Sequence, residues 1–278
     1  MPHSPCYRLT RFLALIEFSF RSLGQAYGRT FVCQVALRHP VRLLRAVWQY
    51  WLALAGQRPA ERVLLCDDER RFVDLAASAA ERFLVATGFC QKPFSCPAGR
   101  FNHDCVYLSR LTSEGITLFP PACADCWIGI LGGAAFTAGA SLAILTSASD
   151  IADDVLLPAL EERRFTHALF AICPYSVEPI SLALLSSGIE GYVVWYEVGS
   201  CANYSQWLRA DGGDKPERTA LSRQATDRML ELLKRVAAAR LRDGSHAMRR
   251  YVQIDNVYRP CPDCSADGAQ DQVLRPCQ

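Results

Sequence analysis

Three signatures that would name a reaction outright are missing from this sequence. It has no Gly-x-x-x-x-Gly-Lys-Ser/Thr loop, no Gly-x-Gly-x-x-Gly after a strand and no His-Glu-x-x-His. These absences exclude a P-loop, a dinucleotide fingerprint and a zinc-protease helix. Histidine is scarce, with five in 278 residues, and only His103 lies in a thiol-rich stretch. Net charge is low, +2 with 21% charged and 50% hydrophobic residues, a composition that excludes disorder, collagen and coiled coil. No cleavable signal peptide precedes the cysteines, of which there are 13. An odd count without an export signal argues against an oxidised secreted scaffold, and a chain of this length buries a core without covalent staples. The thiols are therefore read as reduced and cytoplasmic, available for metal binding, catalysis or plain burial.

Charge is unevenly placed. Residues 1–58 hold eight arginines and one acid, Glu17, a net +7 that leaves −5 for the rest of the chain. Leu9, Phe12, Leu13, Ile16 and Phe20 fall at helical spacing, and Val41, Leu44, Trp48, Trp51, Leu52 and Ala55 repeat the pattern. A basic helix with an aromatic-rich apolar face suits an anionic membrane surface, because arginine meets the headgroups while tryptophan sits at their level. The ordinary alternative is a helical pair packed on the body with its arginines solvated, and a protein partner is a third use of such an arm. Nucleic acid is not expected, since the arm has no lysine and no groove-reading motif.

From Cys126 to Ser149 run 24 residues without a formal charge, long enough for a membrane-spanning helix. Glycines and hydroxyl residues interrupt the run. Trp127 to Phe136 reads as a small-residue helix, Gly139 as a break and residues 141–146 as a buried strand. Two more apolar runs, 168–173 and 192–198, follow with helical patterns at 152–164 and 176–187 between them. That rhythm predicts a three-layer α/β unit with a small parallel sheet and outweighs the membrane span. The expected division is a basic helical arm over 1–58, a Cys-rich entry plus α/β domain over 59–250 and a cysteine-containing tail over 251–278. A helix is also predicted from Asp67 or Asp68 through Phe72 and Phe83 to Gly88, and another from a capping box at Asp214 and Glu217 to about Arg242.

Cys90, Cys96, Cys105, Cys123 and Cys126 fall within 37 residues of loop-like sequence. Thiolates are soft anionic ligands, and four of them held by loops can close a tetrahedron on zinc or ligate an iron–sulfur cluster. Cys123-x-x-Cys126 is the local clip and Cys96 with Cys105 the completing pair, Cys90 or His103 being substitutes. Cys173 ends a predicted strand and Cys201 lies just past the next, so both belong to the sheet edge where ligands bind. Burial as small hydrophobes is the competing use of such thiols, and of Cys6, Cys33 and Cys66 most of all. Cys261, Cys264 and Cys277 form another local set. Glu178 and Glu197 lie near the same strand ends, where proton transfer competes with ordinary capping and solvation.

The order Cys123-x-x-Cys126-Trp-Ile128-Gly129, then a strand ending in Cys173, then Gly199-Ser-Cys201-Ala-Asn203 resembles an uncharacterised prokaryotic family, domain of unknown function 116. The resemblance covers about residues 90–210. It implies a cysteine-rich entry followed by an α/β unit, in a metal-binding protein of unassigned activity. Two functions follow as expectations: an iron–sulfur protein with a redox or accessory role, or a structural zinc module docked by its basic arm to a partner or to the inner face of a membrane. The thiol count favours the first, since seven candidates exceed what one zinc requires.

Overall fold

The computed structural model describes residues 5–56, 62–66, 68–111, 120–242, 244 and 250–261. The chain opens with helices α1 (Pro5–Ser22) and α2 (Ala26–Thr30), a π-helical turn over Phe31–Ala36, and α3 (Pro40–Gly56). Strand β1 (Arg62–Leu64) and helix α4 (Glu69–Ser78) lead to β2 (Phe83–Gly88). Helices α5 (Val106–Leu111), α6 (Pro121–Ala124) and α7 (Trp127–Thr137) precede β3 (Ser141–Leu145). Helices α8 (Ala148–Asp150) and α9 (Leu157–Glu162) flank a second π-helical turn before β4 (His167–Ile172), α10 (Val177–Ser186) and β5 (Glu190–Trp195). The chain continues through α11 (Tyr204–Asp211) and α12 (Arg223–Arg242) to a hairpin of β6 (Tyr251–Ile254) and β7 (Val257–Pro260).

All seven strands form one sheet in the order β1-β5-β4-β2-β3-β7-β6. The inner four, β5, β4, β2 and β3, are parallel. Antiparallel β1 closes one edge, and the β6–β7 hairpin, drawn from the start of the expected tail, closes the other on β3. One face of the sheet carries α4, α7 and α12, through Phe72, Leu131 and Val236. The other carries α3, α9 and α10, through Leu54, Ala159 and Leu184. The three-layer α/β expectation therefore holds. Near-continuous apolar strands read this way because both of their faces are covered.

Two expected helices end differently. The stripe from Phe72 to Phe83 is not one helix: α4 is capped by the Asp68 side chain, which accepts from Arg71 N at 2.7 Å, and it ends at Ser78. Ala79 leaves helical geometry at φ −129°, and Phe83-Leu-Val-Ala-Thr enters the centre of the sheet as β2. A run buried on both sides gains more by ladder pairing than by extending an amphipathic helix, whose outer face would expose Leu84 and Val85. The second correction concerns Asp214 and Glu217, which cap nothing. α12 begins at Arg223, where the Ser222 hydroxyl accepts from Ala225 N at 3.1 Å, and residues 212–222 are irregular chain.

The uncharged run divides as expected into α7, a turn at Gly139 with φ +75°, and β3. Among the described residues no helix is long and apolar enough to cross a membrane. The glycines of α7 admit α5 instead: a Cβ at Gly132 would stand 2.5 Å from Leu108 Cδ2.

In the arm, α1 and α3 pack on the body through Leu15, Phe18, Ala46, Tyr50 and Leu54. The stripes picked out by helical spacing point the other way, and Leu9, Leu13, Phe20, Val41, Leu44 and Trp48 are exposed.

Because β3 lies on one side of β2 and β4 on the other, the connections that leave β2 and β4 pass over opposite faces of the sheet. Diverging loops at adjacent strand ends leave a crevice at this switch point.

Candidate functional site

The crevice is built from strand ends. Gly88 of β2, Leu145 of β3, Ala171 and Ile172 of β4, and Tyr196 just past β5 line a cavity of about 80 Å³ together with Cys90, Cys173, Cys201 and Lys215. Tyr196, fully buried, fixes the strands to one another: its hydroxyl donates to Ala171 O at 2.6 Å and accepts from Gly88 N at 2.8 Å. Gly88 has to be small for this. A Cβ there would meet both Cys90 Sγ and Tyr196 Oη at 3.1 Å. Its role is close approach at a strand end, not helix termination.

Three of the candidate thiols meet here. Cys201 N donates to Cys173 Sγ at 3.5 Å, and the Cys173 thiol hydrogen-bonds the Cys201 sulfur. Cys201 reaches this position through Gly199, whose φ of +63° and close approach to Arg218 O leave no room for a side chain. Thr219 Oγ1 donates to Cys90 Sγ at 3.0 Å. Lys215 completes the group from the irregular segment before α12. Arg100 holds that segment down, donating to Lys215 O at 2.8 Å and Glu217 O at 2.9 Å.

The electrostatics are asymmetric. The hydrogen bond from Cys173 and the Lys215 ammonium bring the Cys201 thiol down to about 7, against the cost of burial. Cys173, which gives that bond from a buried position, is pushed up, and burial raises Cys90 as well. Burial alone would lower Lys215, but Cys201 and Glu217 more than offset it. Glu217 Oε2 lies 3.3 Å from Lys215 Nζ on the exposed side. A Cys201 thiol made more acidic, its Cys173 thiol donor and the Lys215 ammonium thus occupy a small, largely apolar cavity.

The other four thiols lie elsewhere, with Cys96, Cys105 and Cys126 around Lys92 and Cys123 beside Cys126. Its buried ammonium donates to Asn102 O and Asp104 O, both at 2.8 Å, and to Gly99 O at 3.3 Å, so that residues 92–104 wrap around one Nζ. Burial lowers Lys92, while Cys96, Cys105, Asp104 and Cys126 act to raise it. Cys105, pushed up to about 11 by burial, sits at the start of α5 and accepts from Leu108 N. Cys126 immediately precedes α7, and its N donates to Cys123 O at 3.3 Å, closing the turn that joins the two cysteines. Burial raises Cys123, with Cys126 and Cys96 adding to the effect. The donor chemistry fits zinc or an iron–sulfur cluster. The spacing is looser: among the described residues no group of three or more His, Cys, Asp or Glu side chains stands close enough to hold a metal ion.

Other candidates have other duties. His103 bonds to Ile144 O at 2.8 Å and Thr146 Oγ1 at 3.1 Å, facing the end of β3. Glu178 is buried in an ion pair with Arg11 of α1, and Glu197 is exposed. Cys66 is half-buried and Cys33 exposed, Cys261 is held in a disulfide against the expectation that every thiol is reduced, and Cys264 and Cys277 lie outside the described residues.

Sequence reasoning missed Lys92, Lys215 and Tyr196. A signal existed for the lysines. The chain has only three, and two of them are buried beside thiols. In an arginine-rich protein that scarcity marks places where a compact point charge was needed in place of a planar fork. No family model, curated protein or solved structure matches the chain, so what the crevice can do is read from its own residues.

Proposed function

We propose that this protein is a thiol redox protein whose reacting centre is the Cys201–Cys173 pair in the switch-point crevice. The observation that carries the reading is their direct contact beside Lys215 in a cavity at the carboxyl ends of parallel strands. The crevice is small and its lining largely apolar, which suits a small oxidant of the hydroperoxide class. The Cys201 thiolate attacks the distal peroxide oxygen, the O–O bond breaks, and the departing alkoxide or hydroxide takes a proton. Cys201 is left as a sulfenic acid. The Cys173 sulfur then displaces its hydroxyl, forming the Cys173–Cys201 disulfide and releasing water. Two electrons have passed to the peroxide, and a small thiol or dithiol resets the pair. A cytoplasmic location belongs to the same proposal, because that reset needs a reducing compartment.

The test uses the reduced full chain and hydrogen peroxide. Cys173→Ser should stop at a sulfenic acid on Cys201 that a dione reagent traps, and Cys201→Ser should slow oxidation of Cys173 at least tenfold. If both variants oxidise like the parent, the pair is not the centre.

The second reading is a metal centre held by Cys96, Cys105, Cys123 and Cys126, and it is favoured by the Lys92 neighbourhood that three of them share and by the mutual proximity of Cys123, Cys126 and Cys96. An iron–sulfur cluster would supply one-electron transfer there, and zinc would supply a structural clip. Protein purified without oxygen should contain iron and sulfide in the first case and zinc alone in the second, with Cys126→Ser lowering either. Metal-free protein would sink this reading and leave the crevice pair untouched.

A further inference from the structure

We propose that the outward face of the N-terminal arm docks on the surface of an anionic lipid bilayer. Helices α1 and α3 use one side each to pack on α10 and leave a second run of apolar side chains uncovered. Phe20 is 71% exposed, Leu44 70%, Trp48 62% and Leu13 55%. Helical periodicity normally turns such a stripe inward. Here Leu15, Phe18, Tyr50 and Leu54 have taken the inner position, so the exposed stripes are surplus to folding. They also form one surface, because Phe12 of α1 and Trp51 of α3 meet edge-on with ring centroids 6.4 Å apart where the helices touch.

Charge selects the occupant. Exposed Arg38, Arg42 and Arg45 border the α3 stripe. The one acid of residues 1–58, Glu17, is neutralised by Arg21 at 2.9 Å. Residues 1–58 are +7 and the remainder of the chain −5, and exposed Arg38, Arg42 and Arg45 put positive charge on this face, so an anionic plane attracts it. Tryptophan, phenylalanine and leucine flanked by arginine, on helices lying side by side, match the headgroup boundary of a bilayer. A protein groove would be expected to offer acidic side chains to a narrower stripe.

The experiment is flotation of the full chain with vesicles of neutral phosphatidylcholine and with vesicles containing about one-third phosphatidylglycerol. The expected result is co-flotation with the anionic vesicles only, weakened at high salt. Replacing Leu44 and Trp48 by glutamine, or Arg38, Arg42 and Arg45 by glutamine, should lower the bound fraction at least tenfold. Both sets are already in solvent, so the thermal midpoint should stay put and show that folding is intact. Equal binding to both vesicle types, or binding unchanged in the variants, overturns the proposal. So does a concentration-dependent dimer abolished by the same substitutions, which would assign the face to a second copy of the chain. Peroxide oxidation of the crevice pair does not depend on either outcome.

Discussion

Lys215 brings its charge to Cys201 from a segment with no regular structure, and it adds to the Cys173 hydrogen bond in lowering the Cys201 thiol. Replacing it with methionine keeps the bulk and removes the charge. The pH at which peroxide consumes half of the Cys201 thiol should then rise from about 7 towards the ordinary thiol value of about 8.5. The sign follows from the charge, since an ammonium favours the anion and its loss favours the proton. A pH profile that does not move would remove Lys215 from the site. Tyr196→Phe tests the scaffold: it strips Gly88 N and Ala171 O of their shared partner and should cost about 1–3 kcal/mol in urea unfolding. At this scale the sequence was partly readable. Cys201 after a glycine and Cys173 at a strand end both pointed to the sheet edge. Lys215 did not, because the chain around it resembled the start of a helix, and Arg100, which holds that chain down, is more than a hundred residues away.

Elements are joined by fewer contacts than they contain, so a single pair can set the position of a helix. Arg11 of α1 and Glu178 of α10 form such a pair, with Glu178 almost wholly buried. Burial pushes the Glu178 carboxyl up and Arg11 opposes that shift. Arg11→Met should cost about 3 kcal/mol at pH 7, where it leaves a buried carboxylate without its guanidinium. A carboxyl pushed up is at no disadvantage while protonated, so the loss should shrink at pH 5 and grow as pH rises. Adding Glu178→Met should restore most of the stability, and thermal melts at the two pH values read both effects. By spacing alone β2 reads as a continuation of α4. Phe83 fits the helical spacing of Phe72 and Ala76 by coincidence, and nothing local announces that 83–88 will be covered on both faces. With β2 restored, the cysteine-rich segment becomes the crossover from β2 to β3, inside the fold and not ahead of it.

In the whole molecule, seven candidate thiols that looked like one site lie in two places. Cys96, Cys105 and Cys126 lie around the Lys92 knot with Cys123 beside Cys126, and Cys90, Cys173 and Cys201 share the crevice with Lys215. Strand rhythm conveyed the α/β architecture because both-sided burial leaves a continuous apolar signature. It could not convey the partition of the thiols, which depends on how the loops after β2 and β5 fold over each other. The arm stands in the same relation to its sequence. Its periodicity was legible, but which stripe faces the body was decided by α10. The central claim is that the crevice pair, and not thiol exposure, determines reactivity. Treating the reduced chain with one equivalent of hydrogen peroxide at pH 7 and mapping the products tests it, because Cys33 is exposed while Cys173 and Cys201 are buried. The account predicts that the Cys173–Cys201 disulfide forms first. Oxidation of Cys33 with the crevice thiols intact would contradict it.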